Sequence, residues 1–443
     1  MTFDEAVKYL LGLGHETLVV KLGLENVRRL LAALSHPEQS FPAVQIAGTN
    51  GKGSTAAMLD AVCRAASIKT ALYTSPHLVS ITERIKLDGR DIRPEEFARE
   101  TLRVRNAALT VRDDAGALPS FFEQVTAIAL CAFREARVDL AILETGLGGR
   151  LDATTAALAT VVAVTPVALD HQEYLGTTLR KIAAEKAAII RPNVECVIAR
   201  QDPDALEVIL ARCRDGEVAP RFATGDIRVE GATSDGRLRA TFRTDEDLYE
   251  NVTLSLRGRH QLANAATAIA LAEVLRARGF TQITRAAIVA GLESAAHPGR
   301  LELIDGSPSL LFDGAHNPAG ARALRAHLDE FARTPLTIIF GAMRDKDLTE
   351  IAAALFTAAG HLILTSIDTP RAAAPGALRA LVPSSFDPAK VFLAPSSSEA
   401  LRLARALASH DGMICVTGSL YLVGEIKSLL SRRDELESPE LKT

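Results

Sequence analysis

Most of the features that would reveal a function directly are absent from this chain. Its five cysteines, Cys63, Cys131, Cys196, Cys213 and Cys415, are odd in number and irregular in spacing, with no CxxC pair. That argues against a disulfide framework or a thiolate zinc site and leaves five small hydrophobes in a reducing compartment. No charge of one sign dominates. Fifty basic residues against 54 acidic ones give a net charge of −4, so there is no global electrostatic footprint for nucleic acid. The apolar stretch at residues 156–164 is too short to span a bilayer. The N-terminal MTFDEAVKYLLGLG carries acids early and lacks an apolar core followed by a small-residue cleavage site, so it does not read as a signal peptide. There is no repeat of fixed period and no low-complexity tract. The expectation is a soluble cytoplasmic protein with no nucleic-acid or membrane partner. An anionic ligand would have to be met by local positive charge and backbone dipoles.

What is present is ordinary globular material: 443 residues, 48% hydrophobic and 23% charged, enough for two or three domains with cores of their own. Strand-like and helix-like segments alternate. Residues 41–47, 139–143 and 160–165 read as buried strands, and 53–66 and 123–135 as helices. Near residue 220 the pattern changes to a small antiparallel sheet, with strands expected at 238–243 and 252–256, then a helix at 261–278. The polar, Gly- and Pro-containing residues 294–300 read as a boundary. Beyond it, strands at 310–312, 336–340, 362–366, 391–393 and 413–417 alternate with helices starting near Pro318, Leu348, Pro375, Ser397 and Leu420, a second doubly wound domain. The charged tail, residues 432–443, is expected to fray.

Five short blocks carry chemistry. AGTNGKGST (47–55) lies between a strand and a helix; its glycines let backbone N–H groups turn toward a phosphate, the helix N-terminus adds a positive dipole end, and Lys52 is placed for the terminal phosphates. It departs from the general Walker A spacing, because Gly53 separates Lys52 from Ser54. LETGLGGRLDAT (143–154) follows a strand and puts Glu144 at its carboxyl end, where open α/β sheets place ligands; taken alone it reads more readily as a capping or surface acid, but beside a phosphate loop the balance reverses and it is a natural Mg²⁺ ligand. TPVALDH (165–171) offers His171, a metal ligand or a satisfied core histidine. AEKA (184–187) puts Glu185 and Lys186 on a helix. DGAHNP (313–318) offers a carboxylate suited to ribose hydroxyls, or a plain turn with a helix cap.

Their order is more informative than any one of them. LGLENV (22–27), GTNGKGS, TSPHL (74–78), ETGLGGRLDAT, the Asp170–His171 pair, EKA, HQLANA (260–265), HPGR (297–300), DGAHNP, GAMRDKD (341–347) and GSLYLVGE (418–425) together resemble the folylpolyglutamate synthase/dihydrofolate synthase family of the Mur-ligase superfamily. The resemblance runs over nearly the whole chain. It implies an α/β, two-domain Mur-ligase-like fold: a P-loop doubly wound N-terminal domain with a small β insertion (residues 1–296), carrying ATP and folate, and a smaller Rossmann-like C-terminal ligase domain (297–443).

The implied reaction joins L-glutamate to a reduced folate, and by extension to dihydropteroate, through an acyl phosphate made at the expense of ATP. The resemblance assigns Asn50, Gly51, Lys52, Gly53 and Ser54 to the ATP phosphates. It assigns Ser75, Glu144 and His171 to Mg²⁺, of which two ions are expected. Lys186 matches a lysine that is carbamoylated in the family, and Lys52, Lys186 and His171 form the implied catalytic set. Asn264, Arg300, Asp313 and His316 match nucleotide contacts. Phe121, Phe122, Glu123, Leu151, Asp152 and Ala153 match a pterin-contacting stretch; for two adjacent phenylalanines ordinary core packing is the competing explanation. Ala188 stands where the family usually has glycine. A monomer is implied. Two other readings remain at this point. A Mur-type ligase for another carboxylate is disfavoured by the lack of a nucleotide-sugar domain before Gly48. A non-catalytic ATP-binding regulatory module predicts gaps at Ser75, Glu144, His171 and Lys186, all of which are present.

Overall fold

The strand Ala43–Ala47 (AVQIA) is buried at every position, as expected for a strand covered on both faces. It pairs in parallel with Leu140–Glu144 on one side and Val161–Val164 on the other, with Val44 level with Ile142 and Val161. In this computed structural model, which describes residues 1–14, 23–115, 118–223 and 225–437, these strands form the centre of an eight-stranded sheet. Its spatial order is Arg90–Asp91, Ile85–Leu87, Thr70–Tyr73, Leu140–Glu144, Ala43–Ala47, Val161–Val164, Glu195–Ile198, Pro220–Phe222. The first two strands are antiparallel additions at one edge. The carboxyl ends of four neighbouring parallel strands therefore carry TSPHL, ETGLGGRLDAT, the phosphate-loop sequence and TPVALDH side by side.

Helices cover the sheet. Phe121–Ala136 starts at Ser120 with a capping box, and Pro203–Asp215 starts at Asp202 with proline in its first turn. Both begin where the sequence offers a short polar acceptor just ahead of an apolar stripe.

The chain divides into two compact units. One comprises Met1–Arg228, Ala240–Val252 and Leu262–Ala296; the other comprises Val229–Arg239, Thr253–Gln261 and His297–Thr443. In the second, a six-stranded sheet has the order Glu302–Ile304, Ser309–Asp313, Met413–Thr417, Leu336–Phe340, His361–Thr365, Val391–Ala394, parallel except for the first strand. Its core includes Phe340 edge-on to Phe356 at 5.0 Å between ring centres. Helices start at Pro318, Leu348, Pro375, Ser397 and Leu420.

Three expectations need correcting. The second strand of the small sheet is Leu248–Thr253, not 252–256, because the Thr244 hydroxyl accepts from the Glu246 and Asp247 N–H groups (3.2 and 3.0 Å) and closes the turn early. A further strand, Asp226–Ala232, completes a three-stranded meander; its interleaved charges concealed it. The last helix, Leu420–Glu437, runs through the first half of the segment expected to fray. Residues 438–443 lie outside the described residues, as does Leu22 of LGLENV. All five cysteines are buried free thiols. Among the described residues no helix is long and apolar enough to cross a membrane.

Candidate active site

The helix Lys52–Ala65 begins directly after Gly51, with no side chain capping it, so its first N–H groups are positioned for an anion. Gly51 has φ 85°, and a Cβ there would come within 2.2 Å of the Asn264 Oδ1. Glycine is required twice over, by backbone conformation and by the closeness of Asn264. Gly48 is equally constrained: a Cβ would lie 1.9 Å from Thr165 Oγ1. The residues expected to bind nucleotide, Asn50 to Ser54 and Asn264, thus gather at one loop of the first unit.

Two lysines meet on one carbonyl. Lys52 Nζ donates to Gly48 O and Thr49 O, both at 3.2 Å. Lys186, from the helix Leu179–Ala187, donates to the same Gly48 O at 2.8 Å. Lys186 is buried. Burial first and the Lys52 charge second lower its pKa to about 7, with Asp170 and Asp152 pulling the other way. Near neutral pH the uncharged amine of Lys186 is therefore far more accessible than for an exposed lysine. Ala188, the departure from the family pattern, has φ −63°, a conformation open to any residue.

Glu144, buried at the end of its strand, accepts the Ser75 N–H at 3.2 Å. Two of the three expected metal ligands are thereby brought together. His171 is partly exposed, and its Nε2 lies 3.9 Å from Oδ2 of the buried Asp170. Among the described residues no group of three or more His, Cys, Asp or Glu is assembled as a metal site. A buried carboxylate beside a serine suits a hard cation that completes its shell with phosphate oxygens and water.

The expected pterin stretch divides by role. Phe122 lies over Gly146, where a Cβ would meet its ring at 2.5 Å, and 6.1 Å from the Tyr73 ring. Phe121 is buried under the Arg84 guanidinium, 5.5 Å from its ring centre, and Arg84 Nε donates to His77 Nδ1 at 2.8 Å. Neither His77 nor Arg84 stood out in the sequence as a site residue; the visible signal was only that TSPHL runs on into TERIKL. Glu123 is the partner residue of the capping box, accepting the Ser120 N–H at 2.7 Å. Glu123→Ala should lower stability by about 1 kcal/mol, while Glu123→Gln, which keeps an acceptor, should hold it; thermal melting of the two variants checks this. Asp152 is buried, and its oxygens accept from Leu147 N (2.8 Å) and Thr154 N (3.0 Å), holding the glycine-rich loop closed. Burial raises its pKa against those bonds. Ala153 is buried beside it and Leu151 half-exposed.

In the second unit, Asp313 accepts the N–H groups of Leu301 and Ala315, both at 2.9 Å. Burial raises its pKa while Arg300 and these N–H groups oppose the shift. Gly314 donates to Gly299 O at 2.9 Å, which ties HPGR to DGAHNP. His316 Nδ1 donates to Gly314 O at 2.8 Å, leaving Nε2 as the other ring nitrogen. Arg300, Asp313 and His316 thus belong to one pair of joined loops, and Asn317 with Pro318 starts the helix that follows.

Comparison with known proteins identifies the family. The Mur ligase middle domain matches residues 46–272, and the Mur ligase glutamate ligase domain matches residues 299–420. The dihydrofolate synthase/folylpolyglutamate synthase of Bacillus subtilis is 34% identical over 419 residues, covering 93% of this chain and 95% of that protein. A probable bifunctional folylpolyglutamate synthase/dihydropteroate synthase of Haloferax volcanii is 37% identical over 438 residues, 98% of this chain but 51% of that protein, so the chain spans about half of its length. Mycobacterium tuberculosis folylpolyglutamate synthase complexed with ADP superposes with a TM-score of 0.88 at 32% identity, over 98% of this chain and 100% of that one. A bifunctional folylpolyglutamate synthase/dihydrofolate synthase with Mn, AMPPNP and L-glutamate bound gives 0.82 at 28% identity, over 97% and 98%. Two matched domains in order and full-length similarity place this chain in the folylpolyglutamate synthase/dihydrofolate synthase family of Mur-type ligases.

Proposed function

We propose that the chain uses ATP to join L-glutamate to the terminal carboxylate of a reduced folate, and also to dihydropteroate, as the double name of the Bacillus subtilis relative suggests. The observation that carries this reading is the convergence of Lys52 and Lys186 on the Gly48 carbonyl, beside an uncapped helix N-terminus. Residues 1–296 are read as the ATP- and folate-binding domain and residues 297–443 as the C-terminal ligase domain, although Val229–Arg239 and Thr253–Gln261 pack with the second compact unit.

A carboxylate is a poor acyl donor because its leaving group would be oxide. Phosphoryl transfer to it makes an acyl phosphate; the glutamate amine attacks the acyl carbon, and the tetrahedral adduct expels phosphate. The first step depends mostly on positioning and charge neutralisation. The Lys52 ammonium and the N–H groups of Gly51 to Ser54 supply both; by the resemblance Asn264 in the first unit, and Arg300, Asp313 and His316 in the second, are nucleotide contacts. Ser75, Glu144 and His171 would hold a Mg²⁺ ion, which when bound neutralises phosphate charge.

Lys186 acts as a carbamate. Its uncharged amine adds CO₂, forming an N–C bond and releasing one proton. The product is an anion, so the repulsion from Lys52 becomes attraction, and its oxygens suit a second Mg²⁺. Phe122 presents a flat face for a pterin, beside Leu151, Asp152 and Ala153, with Glu123 fixing the helix that carries it. By the same resemblance the protein works as a monomer in the cytoplasm, where its thiols stay reduced.

The test is to incubate the protein with ATP, Mg²⁺ and glutamate, offering tetrahydrofolate and dihydropteroate separately, and to identify products by mass spectrometry. One or more added glutamyl residues on each acceptor is the expected result. No new amide with either would overturn the reading.

A further inference from the structure

We propose that Gln201 is a positioning residue for the nucleotide loop, acting through the segment that carries Pro166 and His171. This deepens the reading of residues 47–55 as the ATP loop and rests on it.

Pro166 O accepts two N–H groups of the loop, Thr49 N at 3.0 Å and Asn50 N at 3.2 Å. The Thr49 hydroxyl is clasped to the same segment, donating to Ala168 O and accepting from Ala168 N, each at 3.0 Å. The loop's path is therefore set by where residues 165–168 lie. These residues follow the strand Val161–Val164, and proline has no N–H with which to continue a ladder.

Gln201, just beyond the strand Glu195–Ile198, holds the other side of the segment. Its Oε1 accepts Val167 N at 3.0 Å, and its Nε2 donates to Val164 O and Thr165 O, both at 3.1 Å. One acceptor and a two-proton donor at a fixed fork are what a primary amide offers. Glutamate would set a carboxylate against two carbonyl oxygens, and asparagine is shorter by a methylene. His171 lies four residues beyond Val167 in the same run. Gln201 thereby locates the shelf under the phosphate loop and the approach to a metal-ligand position, and by this account touches neither ligand.

The test compares wild type with Gln201→Met and Gln201→Glu. It measures KM for ATP, folate and glutamate, the Mg²⁺ concentration for half-activation, and direct calorimetric binding of a non-hydrolysable ATP analogue. Gln201→Met should raise KM for ATP about tenfold, the scale of one net hydrogen bond, and raise the Mg²⁺ requirement, with KM for folate and glutamate within about twofold. Gln201→Glu should be worse. Combined with Thr49→Val, the effects on ATP should be less than additive, because both changes release one segment. Should Gln201→Met not fold, Thr49→Val alone reads the same segment from its other side. Unchanged KM for ATP, or equal losses for all substrates alongside a lowered Tm, would overturn the proposal. Wild-type protein that binds no ATP analogue would instead overturn the nucleotide-loop reading beneath it.

Discussion

Replacing Lys186 by alanine should lower turnover by on the order of 10³-fold while the protein stays folded, a loss of the size seen when a charged group at a transition state is removed. The side chain is buried with its nitrogen on Gly48 O, sharing that oxygen with Lys52. An ammonium held there is unfavourable, which is why its pKa falls from 10.5 to about 7. The pH dependence has a definite sign. Between about 7 and 10.5 the unfolded chain binds a proton that the folded chain does not, so unmodified Lys186 makes stability rise with pH across that window. Below it the penalty is complete. Lys186→Met removes the titrating group, and its melting temperature should be flatter through the window than wild type. Carbamate formation needs the free amine. Protein stripped of CO₂ should therefore regain activity when CO₂ is restored and, at a fixed concentration of dissolved CO₂, faster as pH rises toward about 7 and levelling off above it. Full activity of Lys186→Ala would remove Lys186 from the mechanism.

Lys52→Ala is the second large effect, expected to cut kcat/KM for ATP by about 10²–10³-fold. Its ammonium bridges Gly48 O and Thr49 O, so it braces the loop, and in the proposed reading it also meets the phosphate charge. Losing it also lifts one of the two causes that depress the Lys186 pKa. The variant should show a shifted pH response to restored CO₂ as well as weaker nucleotide binding. Near-normal ATP kinetics in Lys52→Ala would mean that the loop holds something other than phosphate.

The phosphate loop was legible because everything that makes it is local: a buried strand, glycines at Gly48 and Gly51 that the backbone cannot do without, and a helix starting at Lys52. The second unit's strands were legible for a similar reason, as short apolar runs separated by helix-starting prolines and serines. What was not legible is contact between segments far apart in the chain. Nothing in AEKA says that Lys186 will share a carbonyl with Lys52, nor that Gln201 will bond to residues 164–167. Glu123 and Asp152 show the opposite difficulty. Their sequence context points to a ligand, yet each has a backbone partner of its own, Ser120 N for one and Leu147 N and Thr154 N for the other. The strand Asp226–Ala232 was hidden because its charged residues mask the alternation.

The central claim is that ATP activates the folate carboxylate before glutamate attacks. The most direct test uses a folate or dihydropteroate whose reacting carboxylate carries ¹⁸O at both oxygens, with unlabelled ATP and glutamate, and measures the isotope content of the phosphate released. An acyl phosphate places a carboxylate oxygen between the acyl carbon and phosphorus, so each phosphate should leave with one ¹⁸O from the substrate. Amide product accompanied by unlabelled phosphate would contradict the account.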